Sequence, residues 1–245
     1  MSVETVQVTD RPRSNWLDLL IYLFGGFGLF VLVSLGVGLL VQKTTIWVTA
    51  LALVLNIVFI GGGVWVWGVL RRKTSWREMG FWPVNWQRKW LPVALGVSVA
   101  FIPLRALLGV LVQLLLEGNL DSLQGRTDVL TAGGQFSLLG FLITLIGAGI
   151  LVPIAEELYF RGLLHRWFEP RLPFWPRVLI SSLFFGLAHF DSVGVVASSY
   201  VMGVVNAVAY EKSKSLWLPI LIHMSTNSIA VLLLYLALWA QQFTG

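Results

Sequence analysis

LLGFLITLIGAGILVPIAEELYFRGLL, residues 138–164, sets a long apolar run against a short charged one. Leu138 to Pro153 carries no charge at all, and directly after it come Glu156, Glu157 and Arg161. An apolar run of this length reads as a membrane helix. An ionised carboxylate inside or at the edge of a bilayer is costly unless it is paired or lines a wet cavity with a function. The chemistry of this chain is therefore expected around Glu156.

Outward from that stretch the chain keeps the same character. Of its 245 residues 57% are hydrophobic and 12% charged, whereas soluble domains carry roughly 25% charged residues. Mean hydropathy is +0.80. Seven apolar segments can be drawn, at about 16–42, 46–70, 91–116, 138–168, 177–190, 193–210 and 216–240. A break at Pro219 in the last would give an eighth helical piece. The expected fold is all-α, a polytopic transmembrane bundle of about seven to eight helices forming one domain over residues 1–245, integral to the plasma membrane. The first run, Trp16 to Val41, is too long for a signal-peptide core and reads as a retained helix. The absence of cysteine excludes disulfides, thiol nucleophiles and thiolate metal sites.

The net charge of +5 does not point to nucleic acid, because the positive residues fall in loops between spans. Arg11 and Arg13 precede the first run. Arg71, Arg72, Lys73, Arg77, Arg88 and Lys89 follow the second, and Arg166, Arg171 and Arg177 follow the glutamates. Lys212 and Lys214 end the sixth. Alternate loops hold only Lys43, or Arg126 among Glu117, Asp121 and Asp128. Every basic loop falls on one side, which predicts a cytoplasmic N-terminus. Trp16, Trp47, Trp90, Trp217 and Trp239 at span ends suggest an interfacial belt. The Gly61-Gly62-Gly63 triplet and the small pairs Ser34/Gly38 and Gly203/Ala207 suggest close helix approach.

Helical geometry separates the two glutamates. Residues four apart share a face while neighbours point about 100° apart, so Glu157 stacks on Arg161 as an ion pair. Glu156 faces elsewhere with no basic residue in register, and needs a partner from another helix or from water. His189, with Phe185 one turn before it and Gly186 beside it, is one candidate. His223 and Asn227, four apart on the last segment, are the others. His165 sits among basic residues and reads as an interfacial side chain. Each of these polar groups would be costly against lipid, so convergence inside the bundle is the economical arrangement. A Glu with His neighbours in a partly dry cavity can act as a general base toward water, while His223 and Asn227 could hold an oxyanion. Two His and one carboxylate can equally bind zinc with an open position. HExxH is absent, and the residues alone leave both chemistries open.

EELYFRG, FGLAH and HMSTN, in that order on successive helices, resemble the CPBP family of intramembrane glutamic endopeptidases, also called the CAAX protease, bacteriocin-processing or Abi family, whose pattern is EExxxR, FxxxH and HxxxN. Glu156, Glu157 and Arg161 fit the first motif, Phe185 and His189 the second, His223 and Asn227 the third. The likeness covers about 138–230. It implies a CAAX-type peptidase core whose site opens to the cytoplasmic side. Glu156 and His189 would activate water, His223 and Asn227 would hold the oxyanion, and Glu157, Arg161 and Phe185 would support them. It also implies no cofactor, with zinc at Glu156, His189 and His223 as the alternative. The implied partner is a peptide or protein substrate in the lipid bilayer, prenylated or not, and not nucleic acid. A non-catalytic immunity, partner-binding or scaffold protein on the same fold is the competing reading. A proton-coupled transporter would show repeated halves with broken helices, which are not visible. GxGD and GxSG protease signatures are missing.

Overall fold

The computed structural model of the chain describes residues 13–41, 43–81, 86–131, 134 and 136–243. Among them are eight helices and no strand. They are α1 (Trp16–Leu40), α2 (Ile46–Leu70), α3 (Trp90–Glu117), α4 (Asp121–Leu130), α5 (Leu138–Phe168), α6 (Phe174–Leu187), α7 (Val193–Ser213) and α8 (Trp217–Gln241). Six are long and apolar enough to cross a membrane, all but α4 and α6. The chain is thus a multi-pass integral membrane protein. Its outward faces carry bare aliphatic side chains, with Leu39 89% and Leu115 81% exposed, as lipid contact requires.

The core gathers around the second half of α5. Tyr159, Phe160, Leu163 and Leu164 of α5 pack with Tyr22 of α1, Phe185 of α6, Met202 of α7 and Leu216 at the start of α8. α7 lies along α6 and α3, and α8 along α3 and α5. α5 winds with wider π-helical turns over Leu145–Leu151 and Leu158–His165, with an α-helical stretch, Val152–Glu157, between them. Such turns recur near functional sites because they re-aim side chains.

Glycine sets the approach of α6 to α7. A Cβ at Gly186 would lie 3.0 Å from Tyr200 Cβ, and one at Gly203 would lie 2.9 Å from Ser182 Cβ. The turn between the two helices is capped by Ser192, whose hydroxyl accepts from Val195 N–H at 3.1 Å. α4 is the helix the hydropathy pattern did not reveal. Its carbonyls at Val129 and Leu130 accept from Thr49, Thr144 and Tyr235, which satisfies its C-terminal end.

Several expectations need correction. The fifth apolar segment is a helix of 14 residues, about 21 Å long at 1.5 Å per residue, short of a full span. Pro219 does not break the last segment, because it falls in the first turn of α8, where its missing N–H costs nothing. Trp90 is buried rather than interfacial, and a Cβ at Gly38 would meet nothing, so the Ser34/Gly38 pair faces outward. Gly61 does meet a neighbour helix, 3.3 Å from Ala155 Cβ. Arg11 lies outside the described residues.

Candidate active site

Glu156 and Glu157 leave α5 toward different partners, as their 100° offset requires. Glu157 is fully buried, and its Oε1 gathers three donors. Arg161 Nη1 lies at 3.0 Å, Asn206 Nδ2 of α7 at 2.8 Å and His223 Nδ1 of α8 at 2.8 Å. Arg161 reaches on to the Gly203 carbonyl at 3.0 Å and lies over the Phe185 ring, 4.5 Å from its centroid. The helix-sharing ion pair expected from the spacing is present, and it ties α5 to α6, α7 and α8.

Glu156 is 6% exposed, and among the described residues no Lys or Arg is bonded to it. Its Oε1 takes a long hydrogen bond from Asn56 Nδ2 of α2 at 3.4 Å. Its Oε2 lies 3.9 Å from His189 Nε2 and 3.8 Å from His223 Nε2. These gaps exceed a direct hydrogen bond and suit a shared water. The tautomers follow from the other ring nitrogens. His189 Nδ1 is 2.8 Å from the Phe185 carbonyl, and His223 Nδ1 is against a carboxylate. Both partners only accept, so both Nδ1 atoms carry protons. A neutral ring then turns an unprotonated Nε2 toward Glu156. Phe185 wedges the two imidazoles apart, its ring centroid 4.7 Å from His189 and 5.6 Å from His223.

The charges count simply. Arg161 neutralises Glu157, and Glu156 is left as one negative charge facing two imidazoles in a buried pocket, where an electrostatic interaction is stronger than in bulk. A water held between carboxylate and imidazole would be polarised there.

Six of the seven motif residues come together: Glu156, Glu157, Arg161, Phe185, His189 and His223. Asn227 lies one turn beyond His223, and its Nδ2 donates to the Ala148 carbonyl of α5 at 3.1 Å. It lines a neighbouring cavity of about 300 Å³. Asn56 and Asn206, which bond the two glutamates, were missed by the sequence reading. The available signal was a lone amide within an apolar span, which needs a partner there. His165 differs from its expected interfacial position. It is 1% exposed, 2.7 Å from Ser181 Oγ and 2.8 Å from Glu211 Oε1. Glu156, His189 and His223 are of the donor types zinc accepts, yet among the described residues no group of three or more such side chains is disposed to hold a metal ion.

The family model described as Rce1-like, type II CAAX prenyl endopeptidase, matches residues 138–229. Over this segment the chain is similar to that family. The chain is 33% identical over 100 residues to an uncharacterized 24.3 kDa protein of Escherichia coli, covering 39% of this chain and 46% of that one. It is 31% identical over 91 residues to the candidate membrane peptidase YdiL of Bacillus subtilis (strain 168), covering 37% of each. The chain thus spans less than half the length of these curated relatives. No solved structure matches it. The matched segment holds α5 to about the middle of α8, so all seven motif residues lie inside it, while Asn56 lies outside.

Proposed function

We propose that this chain is an intramembrane endopeptidase of the CAAX type, hydrolysing a peptide bond with water activated by Glu156 and His189. The observation that carries the reading is the convergence of Glu156 Oε2 with the Nε2 atoms of His189 and His223 at 3.9 and 3.8 Å, brought together from α5, the end of α6 and α8. A water between Glu156 and His189 would donate to both. Glu156 takes one proton as the hydroxide adds to the peptide carbonyl carbon. The second N–H of Asn227, and His223 when its Nε2 carries a proton, would donate to the oxyanion. As the C–N bond breaks, the proton held by Glu156 passes to the leaving amine, so the products are a carboxylic acid and an amine, which exchange the remaining water proton to become carboxylate and ammonium. Glu157, Arg161, Asn206 and Phe185 position the rings. The substrate would be a peptide or membrane-protein segment, prenylated or not.

The test is Glu156→Gln, which keeps shape and the bond from Asn56. The expected loss in kcat is about 10²–10⁴-fold, with the protein still inserted and monodisperse; His189→Ala should behave alike. Full activity of Glu156→Gln on a peptide the wild type cleaves would overturn the base assignment. No metal enters this scheme, so chelator treatment of purified protein should leave activity intact. Loss restored by zinc would transfer Glu156, His189 and His223 to a metal-binding role. A cellular phenotype unchanged by replacing Glu156, His189 and His223 together would favour the scaffold reading.

A further inference from the structure

The cavity beside Asn227 holds a cation that the scheme above does not use. Arg105 lies in α3, twelve residues before its end at Glu117, about 18 Å at 1.5 Å per residue. That is further than its side chain can snorkel. Its Nε is sealed from solvent and has no hydrogen-bond partner among the described residues. Ser198, Thr226 and Asn227 line the same cavity with Arg126, and none of the described lining residues is acidic. Arg126 is paired with Asp191, whereas Arg105 has no ion pair among the described residues. The hydroxyls of Ser198 and Thr226 are already spent on the carbonyls of Val195 and Ile222. The cavity therefore presents an unmatched guanidinium next to the proposed catalytic cluster, since Asn227 is one turn from His223 and bonded to Ala148 of α5.

An intramembrane arginine of this kind calls for an anion, and the planar fork of guanidinium matches a carboxylate best. We infer that Arg105 is the specificity-determining residue of an anion subsite in this cavity, taking a carboxylate of the peptide substrate. This deepens the peptidase reading and rests on it. The carboxylate comes from the substrate's C-terminus or from an acidic side chain, and the two sources are separable by experiment.

The experiment measures binding to the full chain in nanodiscs, in a Glu156→Gln background so that no turnover intervenes. The probes are an N-terminally dansylated hexapeptide of alanine and leucine with a free C-terminus, its C-terminal amide, and the amide with one internal glutamate. At least one carboxylate-bearing peptide should bind about tenfold or more tightly than the plain amide. Arg105→Gln and Arg105→Met should abolish that preference, and Arg105→Lys should keep part of it. If the uncharged variants do not fold, the wild-type preference and its decrease in Arg105→Lys decide. Equal binding of all three peptides, or a preference that survives in folded Arg105→Gln, overturns the subsite. A preference that depends on Arg105, in a protein whose wild type cleaves none of the peptides, keeps the subsite and sinks the peptidase. Where cleavage is seen, Arg105→Gln should raise KM for the preferred peptide and leave kcat near wild type.

Discussion

Glu157 does the most to hold the site together without touching the proposed reacting atoms. One of its oxygens receives Arg161, Asn206 and His223, while Oε2 is buried with no partner among the described residues. Such a network is stable only when complete, because removing one partner leaves charge uncompensated in a low-dielectric interior. Arg161→Ala should therefore destabilise the protein by about 3–5 kcal/mol, read as a lowered midpoint of thermal unfolding in detergent. Asn206→Leu removes one neutral donor and should cost about 1–3 kcal/mol. Glu156→Gln should leave the midpoint nearly unchanged, since among the described residues Glu156 has only the long hydrogen bond from Asn56. A Glu156 variant that unfolds as readily as Arg161→Ala would mean both glutamates are structural. The spacing in EELYFRG was enough to read the Glu157–Arg161 pair and the lack of a helix-mate for Glu156. Asn56 and Asn206 were not legible in the same way. No fixed offset links them to the glutamates, and their role depends on which helix faces arrive opposite α5.

The contact between α6 and α7 shows what an element contributes. α6 is too short to span alone, and it carries Phe185 and, just past its end, His189. Its position is set by Gly186 and Gly203, where the two helices meet closely enough to exclude a Cβ. Gly203 also exposes the carbonyl that Arg161 uses. Gly203→Leu should push α6 from α7, costing about 1–3 kcal/mol as overpacking does, and should shift His189 enough to lower peptide cleavage. Gly38→Leu is the matched control, as a Cβ there meets nothing, and should alter neither stability nor activity. Equal effects from the two would refute the packing account. Both glycines belong to small-residue pairs visible in the sequence, yet only one faces a neighbour. Periodicity reveals a face, and tertiary packing decides whether anything sits against it. α4 escaped notice for a related reason: its sequence, DSLQGRTDVL, is polar, and it is held by side chains from α2, α5 and α8 rather than by its own apolar stripe.

At the scale of the whole molecule, charge is sorted to one end of the bundle. Asp18 at the start of α1 meets Arg71 at 3.0 Å and Lys73 at 2.9 Å, and Arg13 meets Glu78 at 2.8 Å. At the end of α7, Glu211 is bonded by Arg177 and by Lys214. The loops that hydropathy placed on one side are thus joined by ion pairs, with the core of Tyr22, Tyr159 and Leu216 beneath them. The cavity of Arg105 and Asn227 lies toward the other end, where Arg126 meets Asp191. This is opposite to the cytoplasmic opening that family resemblance implied, if the basic end is cytoplasmic as Lys and Arg counts predict. The chain has no cysteine, so single cysteines give an unambiguous reading in intact cells. Arg77 and Leu120 are exposed at opposite ends. Arg77→Cys should resist a membrane-impermeant maleimide until the cells are opened, and Leu120→Cys should label at once. Removing Arg77 leaves Arg71, Arg72, Lys73, Arg88 and Lys89 in the same loop, so the substitution should not invert the bundle. The reverse labelling pattern would place the N-terminus outside. It would also turn the Arg105 cavity toward the cytoplasm, making cytoplasmic peptides rather than exported ones the substrates to test first.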